Sequence, residues 1–534
     1  VNKILIVDFG SQYTQLIARK VRELGVYSEI VPFNTPLDEI KRKMGTVLFS
    51  DTHGPQAGTG KENRTVPFVR ALILSGGPQS VYEKGAPLPP VGIFDLGLPV
   101  LGICYGLQLT AHLLGGKVTP HARREYGFAS LKVRDRSGLL AGVRDLRQVW
   151  MSHGDRLDKV PPGFRVTGTT ANTKAAVIEN DARRVYGVQF HPEVVHTHEG
   201  RKILGNFLFR LAGLAPDWSM GSFVERKVCE VRAAVGRGKV ICGLSGGVDS
   251  AVAALIIHRA IGRRLTCVFV DNGLLRKEQY GELMDRFRRT LSLSVVGVDA
   301  AAEFVAALRR VTSPERKRKI IGGLFIEIFD REAKRIGGVK FLAQGTIYPD
   351  VIESRPVQGP SQTIKSHHNV GGLPKGLAFE LVEPLRELFK DEVRALALEL
   401  GLDKEFVSQH PFPGPGLAVR IVGEVNDESL AIVRAADAIV IEETKRAGVY
   451  RKLWQAFAVL LPVKSVGVMG DCRTYQRAVA VRLVQSVDGM TASWFPASPD
   501  LLARISTRIV NEVRGVNRVV YDVTSKPPGT IEWE

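Results

Sequence analysis

The stretch Lys239-Val-Ile-Cys-Gly-Leu-Ser-Gly-Gly-Val-Asp-Ser250 constrains this chain more than any other. Val240 to Leu244 is short and apolar, as a buried strand is. Ser245-Gly246-Gly247 forces a tight turn, and Val248 through Ile257 is apolar and helix-compatible. Strand, glycine turn and helix, in that order, aim backbone N–H groups and a helix N-terminus at an anion. Gly246 and Gly247 have no Cβ, so the backbone can approach the anion closely. Ser245 and Ser250 add hydroxyl donors. Asp249 conflicts with a phosphate, because like charges repel. A bridging Mg²⁺ resolves the conflict, since a carboxylate plus phosphate oxygens is an ordinary Mg²⁺ environment. The bland alternative is a strand-to-helix turn built from small residues. A lone Ser-Gly-Gly would favour it; six residues in this setting favour the phosphate.

The Walker pattern, Gly-x-x-x-x-Gly-Lys-Ser/Thr, is not what stands here. The stretch resembles the Ser-Gly-Gly-x-Asp-Ser loop of the ATP pyrophosphatases. The resemblance implies cleavage of ATP between its α and β phosphates. Pyrophosphate would be held by Ser245, Gly246, Gly247, Val248, Asp249 and Ser250, and Mg²⁺ by Asp249.

A chain of 534 residues is expected to form about three domains, each burying its own core. With 44% hydrophobic and 24% charged residues, the composition is that of a soluble globular protein. No long uncharged apolar run suggests a membrane span. Lys3-Ile-Leu-Ile-Val-Asp8 opens straight into a strand, so no signal peptide is expected. Cys104, Cys229, Cys242, Cys267 and Cys472 form no Cys-x-x-Cys pair, which argues against zinc and for a reducing, cytoplasmic setting. A formal net charge of +18 fits nucleic acid, but equally an enzyme with several phosphate-bearing substrates. The Arg and Lys are spread along the chain, so no nucleic-acid partner and no membrane is expected.

Strands at residues 4–8, 26–31, 71–74 and 100–103 alternate with helices at 11–24 and 107–114. Residues 51–66 read as a polar surface loop. Such alternation predicts a parallel sheet with its site at the strands' carboxyl ends. Gly102-Ile-Cys104-Tyr-Gly106 has the form of a nucleophile elbow. A strand feeds a sharp turn that holds the thiol at a helix N-terminus, which favours the reactive thiolate. A lone Cys is more often structural, but the flanking glycines argue otherwise. Val185 to Phe190 reads as a strand delivering His191-Pro-Glu193. Residues two apart on an extended segment point the same way, so Glu193 would orient His191 toward Cys104. An oxyanion needs two N–H donors. The amide of Tyr105 is one candidate, and the Ser75-Gly76-Gly77 turn, at Gly77, offers the other.

Asp8-Phe-Gly-Ser-Gln-Tyr13, Ser75-Gly-Gly-Pro78, Gly102-Ile-Cys-Tyr-Gly-Leu-Gln108, Trp150-Met-Ser-His-Gly-Asp155 and Gly187-Val-Gln-Phe-His-Pro-Glu193 resemble a class I glutamine amidotransferase. The resemblance implies that Cys104 attacks the side-chain amide of L-glutamine and forms a thioester, releasing ammonia. It assigns Gln108, Ser152 and His153 to holding glutamine. The loop at 51–70 is longer than the family pattern.

Leu211 to Trp218 reads as a linker. A second domain follows, with a helix from about Phe223 to Val235 and then the phosphate loop. Leu265 to Val270 is a strand ending in Asp271-Asn272-Gly273, placed for the adenosine half of ATP. Phe341 to Ala343 is another, ending in Gln344-Gly345-Thr346. Glu315-Arg-Lys-Arg-Lys319 is read two ways, as a solvated face or as a phosphate contact. Ser361 to Leu373 reads as a lid that can bring Lys365 to the phosphates. His367 and His368 without a third ligand make no metal site. His410-Pro-Phe-Pro-Gly-Pro-Gly416 marks the next boundary. Strands near 417–421, 463–469 and 478–483, a helix at 501–513 and a strand at 518–523 complete an α+β domain. The expected fold is two parallel-sheet α/β domains, at 1–213 and 214–409, then a smaller α+β C-terminal domain at 410–534.

The whole chain resembles the glutamine-hydrolysing GMP synthetase family. Glu315-Arg-Lys-Arg-Lys-Ile-Ile-Gly322, Leu342-Ala-Gln-Gly-Thr-Ile-Tyr-Pro-Asp350, Ile364-Lys-Ser-His-His-Asn369, His410-Pro-Phe-Pro-Gly-Pro-Gly-Leu417, Val468-Met-Gly-Asp-Cys-Arg473 and the ending Ser525 to Glu534 carry the likeness. It implies that XMP O2 attacks the α phosphate of Mg-ATP and that ammonia then displaces AMP to give GMP. ATP contacts would include Asn272, Gly345 and Lys365; XMP contacts would be Arg318, Gln455, Asp471, Lys526 and Glu532. It also implies a homodimer through the C-terminal domain. A tRNA-modifying pyrophosphatase would share the Ser245–Ser250 loop but has no use for Cys104, His191 and Glu193. A purely regulatory nucleotide-binding module would turn over neither glutamine nor ATP. A synthetase making NAD would lack the C-terminal motifs.

Overall fold

Short apolar runs in the first 219 residues become the buried strands of one nine-stranded sheet. The structure, a computed structural model, describes residues 2–44, 68–353, 379–469, 471–486, 489 and 491–534. The chain divides between Ser219 and Met220 into two compact units.

In the first unit the strands are β1 (Asn2–Asp8), β2 (Tyr27–Pro32), β3 (Phe68–Leu74), β4 (Val100–Ile103), β5 (Lys117–Val133), β6 (Arg147–Lys159), β7 (Arg165–Thr169), β8 (Val177–Asn180) and β9 (Val185–Val188). Their order is β2-β1-β3-β4-β9-β8-β7-β5-β6. From β2 to β9 the pairing is parallel; beyond β9 it is antiparallel. β4 and β9 are buried at every position, as strands covered on both faces must be. Helix Thr14–Glu23 buries Thr14, Ile17, Ala18 and Val21, a spacing that lines one face. The expected parallel sheet is therefore present, and the sequence reading missed its antiparallel extension. β6 alternates buried and half-buried residues along most of its length, the signature of a strand with one covered face. The segment read as a linker is tied to this unit: Trp218 is buried, its ring lies tilted against Tyr27 with centroids 4.7 Å apart, and its main-chain N–H donates to Gly25 O at 2.8 Å.

The second unit has a five-stranded sheet, all parallel. It comprises β10 (Lys239–Leu244), β11 (Leu265–Asp271), β12 (Val295–Asp299), β13 (Val339–Ala343) and β14 (Glu380–Val382), ordered β12-β11-β10-β13-β14. A second sheet holds β15 (Gln455–Met469), β16 (Cys472–Gln485), β17 (Ser493–Trp494) and β18 (Val516–Tyr521). Helices Asp427–Arg446 and Pro499–Glu512 belong to the same layered region. One apolar core runs from Ile241 and Val268 of the first sheet, through Val433 and Val440, to Val479, Val481 and Ile505. The boundary read at residue 410 lies inside this unit.

One expected strand is absent. Residues 416–420 form a 3₁₀ turn instead of the strand read at 417–421. Pro411, Pro413 and Pro415 offer no N–H to a ladder, and Gly416 takes a left-handed φ of +62°. The freed carbonyls of Ala418 and Ile421 are taken by the buried Lys317 ammonium at 3.2 and 2.6 Å. Among the described residues no helix is long and apolar enough to cross a membrane.

Candidate active site

β4 ends beneath Cys104, which stands at φ +53° before helix Tyr105–Leu113. A non-glycine residue in that region is strained, and such strain is held where the surroundings over-determine it. The surroundings do so through glycine. A Cβ on Gly106 would overlap the Leu74 carbonyl, and one on Gly102 would overlap the backbone of Gly106. The Cys104 N–H is fixed to Val188 O of β9 at 2.8 Å.

His191 and Glu193 follow β9. The strand stops at Val188, earlier than read, and the two residues lie in a turn rather than an extended segment. The pairing survives because the turn is anchored. His191 N–H donates to Trp150 O at 3.0 Å, and Thr197 Oγ1 donates to His191 O at 2.6 Å. His191 Nδ1 lies 2.7 Å from Glu193 Oε1, and both side chains are buried. Burial opposes charge on His191, but the Glu193 carboxylate and the Cys104 sulfur raise its pKa well above the ordinary imidazole value. The Tyr13 ring packs edge-on against His191 at 4.8 Å.

The turn after β3 comes to the same place. A Cβ on Gly76 would sit 3.2 Å from His191 Cε1, and one on Gly77 would sit 3.1 Å from Tyr105 Cγ. Gln108 is buried and donates from Nε2 to Asp155 O at 3.2 Å and to Gln189 Oε1 at 3.4 Å. Ser152 faces the nucleophile with its carbonyl, 3.6 Å from Cys104 Sγ. The His153 ring is committed elsewhere. Its Nδ1 lies 2.7 Å from Asp155 O, and Glu125 Oε2 stands 3.3 Å from its Nε2. Any contact of His153 with glutamine is therefore left to its main chain. The sequence reading gave no role to Gln189 and Asp155, although both stand in the quoted motifs, and did not single out Glu125; Glu125 and Asp155 lie on strands β5 and β6 that it did not find.

In the second unit the Ser245–Ser250 loop caps β10, with β13 ending beside it. The order β12-β11-β10-β13-β14 makes this the point where the winding reverses, the crevice where open α/β sheets bind ligands. The loop is braced internally. Ser245 N–H donates to Ser250 Oγ at 3.2 Å, Gly247 N–H to Ser245 Oγ at 3.3 Å, and Ser250 Oγ to Gly247 O at 3.1 Å. Gly246 has φ +79°, and Val248 opens helix Val248–Ile261. Gly345 lies against the backbone of Asp249 and Ser250, where a Cβ would press at 3.1 Å. Asn272 is buried and accepts the Leu274 N–H at 2.9 Å, so its side chain shapes the turn after β11. Lys365 and the reading of 361–373 as a lid, like residues 51–66, lie outside the described residues.

Asp249 pairs with Lys390 Nζ at 2.5 and 2.6 Å, a partner the sequence did not suggest. Lys390 opens helix Lys390–Glu399. Among the described residues no three metal-ligating side chains converge. A single part-exposed carboxylate at the lip of an N–H cradle fits a Mg²⁺ whose other ligands are phosphate oxygens and water.

The residues implied for XMP divide. Arg318 Nη2 donates to Glu534 O at 2.5 Å, and the neighbouring Lys317 pairs with the Glu534 carboxylate. Glu532 accepts from Arg420 Nε and Nη2 at 3.1 and 3.0 Å and from Gln455 Nε2 at 3.2 Å. Arg420 is fully buried and also meets Asp437 at 3.2 Å. Arg318, Gln455 and Glu532 are thus gathered around one C-terminal tail. Lys526 is fixed separately, its Nζ donating to Gly489 O at 2.8 Å. Asp471 stands in the exposed turn between β15 and β16, at φ +61°. The structure gives it no contact with the others.

A strained Cys with a buried His–Glu pair in one unit, and a braced phosphate cradle in the other, define a glutamine amidotransferase joined to an ATP pyrophosphatase. The family model for class I glutamine amidotransferase matches residues 5–211, that for NAD synthase residues 220–308, and that for the GMP synthase C-terminal domain residues 442–533. The glutamine-hydrolysing GMP synthase of Bradyrhizobium diazoefficiens is 56% identical over 537 residues, covering 100% of this chain and 93% of its own. That of Bartonella bacilliformis is 54% identical, with 99% and 98% covered. That of Carboxydothermus hydrogenoformans is 53% identical, with both chains covered completely at 100%. The chain belongs to the family of glutamine-hydrolysing GMP synthases.

Proposed function

We propose that this chain makes GMP from XMP, with glutamine as the nitrogen donor and ATP as the activating substrate. The observation that carries the reading is the pairing, in one polypeptide, of the strained Cys104 beside His191–Glu193 with the Ser245–Ser250 cradle. His191 takes the thiol proton, and Cys104 Sγ attacks the amide carbon of glutamine. The C–N bond breaks, the proton returns to the leaving nitrogen, and ammonia departs. Water, activated by His191, then cleaves the thioester to glutamate. Glu193 holds the imidazole in orientation, Gly77 and Tyr105 supply amides to the oxyanion, and Gln108, Ser152 and His153 hold glutamine.

In the second unit XMP O2 attacks the α phosphorus of ATP, and the bond to pyrophosphate breaks. Ammonia adds at C2 of the adenylyl-XMP, and AMP leaves. Mg²⁺, when bound with ATP, neutralises phosphate charge. Asp249 would hold it there, in place of its present pairing with Lys390. Ser245, Gly246, Gly247, Val248 and Ser250 cradle the phosphates, with Asn272, Gly345 and Lys365 completing the ATP site. Arg318, Gln455, Asp471, Lys526 and Glu532 contact XMP. The functional division runs 1–213, 214–409 and 410–534, and the reaction takes place in the cytoplasm. Amide-¹⁵N glutamine tests the reading: with XMP and Mg-ATP the label must appear on the exocyclic nitrogen of GMP. Its appearance in ammonia alone would refute the coupling.

Lys526→Ala is expected to raise the XMP requirement while glutamine hydrolysis by the free enzyme stays largely intact. One lost contact to an anionic nucleotide is worth roughly 1–3 kcal/mol, about ten- to a hundredfold in affinity. An unchanged XMP saturation curve removes Lys526 from the site.

The C-terminal sheet supports a homodimer. Val466, Val468 and Tyr475 line one face of the β15–β16 arm, and Val468 and Tyr475 are 74% and 66% exposed. Exposed apolar residues clustered on a two-stranded arm mark a surface suited to protein contact. Val468→Asp is expected to shift sedimentation from dimer toward monomer. A parent protein that sediments as a monomer at micromolar concentration would contradict the assignment.

A further inference from the structure

We propose that Gln189 is a positioning residue of the glutaminase reaction, its carboxamide holding the Cys104 sulfur at one end and the Gln108 carboxamide at the other. This rests on Cys104 being the nucleophile. Gln189 follows β9 directly, and its side chain is completely buried. A buried amide without partners is costly, so its contacts are the reason it is tolerated there. Nε2 lies 3.8 Å from Cys104 Sγ, and Oε1 lies 3.4 Å from Gln108 Nε2.

The direction of the amide follows from its neighbours. Asp155 O is a main-chain carbonyl and can only accept, so the Gln108 atom 3.2 Å from it is the NH₂ group. That same NH₂ faces Gln189, whose facing atom must then be the oxygen. The NH₂ of Gln189 is left to point at the sulfur. A fixed carbonyl thus sets a donor at Sγ through two side chains. Both main chains are pinned as well: Gln189 N–H donates to Ala176 O at 2.8 Å, and Cys104 N–H to Val188 O at 2.8 Å.

This donor matters because of what lies on the other side. Ser152 O, 3.6 Å from Sγ, accepts from a thiol but repels a thiolate. Among the described residues, the side-chain N–H groups set beside the sulfur are those of His191 and Gln189. Glu193 stands behind His191, and Asp155, His153 and Glu125 stand beyond Gln108. A hydrogen bond to an ionised acceptor is stronger than one to a neutral partner, so Gln189 favours the attacking form. It also ties the nucleophile's place to that of the residue assigned to hold glutamine.

The test compares Gln189→Glu and Gln189→Met with the parent in the full chain. Glu keeps the shape and the acceptor toward Gln108 but sets oxygen at the sulfur. Met keeps the approximate volume and removes both contacts. In each, glutamine hydrolysis should fall about ten- to a hundredfold. The pH of half-maximal iodoacetamide labelling at Cys104 should rise by about one unit or more, with the high-pH plateau unchanged. Ammonium-driven GMP synthesis should stay at the parent rate. A structural lesion would alter the plateau and leave the midpoint in place. That outcome, or hydrolysis within about twofold of the parent in both variants, overturns the inference. Glutamine hydrolysis by Cys104→Ala would instead overturn the reading beneath it.

Discussion

Cys104→Ala is expected to abolish GMP formation from glutamine and to leave formation from ammonium near the parent rate. The sulfur is the nucleophile in the elbow, and His191, set between Cys104 and Glu193, has nothing to activate without it. Removing the nucleophile of a coupled triad costs on the order of a millionfold in turnover, which places glutamine hydrolysis below detection. The cradle at Ser245–Ser250 belongs to the other compact unit and does not use the thiol. Free ammonium at alkaline pH, where more of it is NH₃, therefore bypasses the lesion. His191→Ala should behave alike, and Glu193→Ala more mildly, because it orients the base without attacking. The measurement is GMP formed from glutamine and from ammonium, side by side. GMP from glutamine in Cys104→Ala would remove the nucleophile assignment. Loss of both reactions in a folded protein would remove the division of labour.

Asp249→Asn is the second large effect, and it should stop both reactions. The carboxylate sits in the first turn of helix Val248–Ile261, beside a cradle built for an anion, and Lys390 pairs with it at 2.5 Å. Asn keeps the size but removes the charge that holds Mg²⁺ and balances Lys390. Metal stabilisation of a phosphoryl transition state is worth several kcal/mol, so GMP synthesis should fall roughly a hundredfold or more with either nitrogen source. AMP and pyrophosphate release from ATP with XMP present should fall in parallel. Ammonium-driven synthesis close to the parent rate would show that Asp249 holds no metal.

Local pattern made the two strand–turn–helix elements legible. Gly102 and Gly106 stand out because the backbone leaves no room for a Cβ, and Gly246 because it needs a left-handed φ. The His191–Glu193 pair was legible too, although the geometry behind it was not: the turn is held by Trp150 and Thr197, which no local pattern links to it. Long-range partners stayed hidden for the same reason. Lys390 lies 141 residues from Asp249, and Gln189 lies 85 from Cys104. The run at 315–319 divided in the same way. Lys317 is buried on two carbonyls and Glu534, whereas Lys319 pairs with Glu315 on the surface. Composition could not separate these fates. Residues 416–420 misled because Leu-Ala-Val reads as a strand, and the prolines before it decide otherwise.

The most direct measurement is nucleotide chromatography of the purified protein with XMP, Mg-ATP and glutamine in one tube. The account predicts that XMP is converted to GMP with one AMP and one pyrophosphate formed per GMP, and that omitting glutamine stops GMP unless ammonium is supplied. ADP and phosphate in place of AMP and pyrophosphate, or no GMP under these conditions, would contradict it.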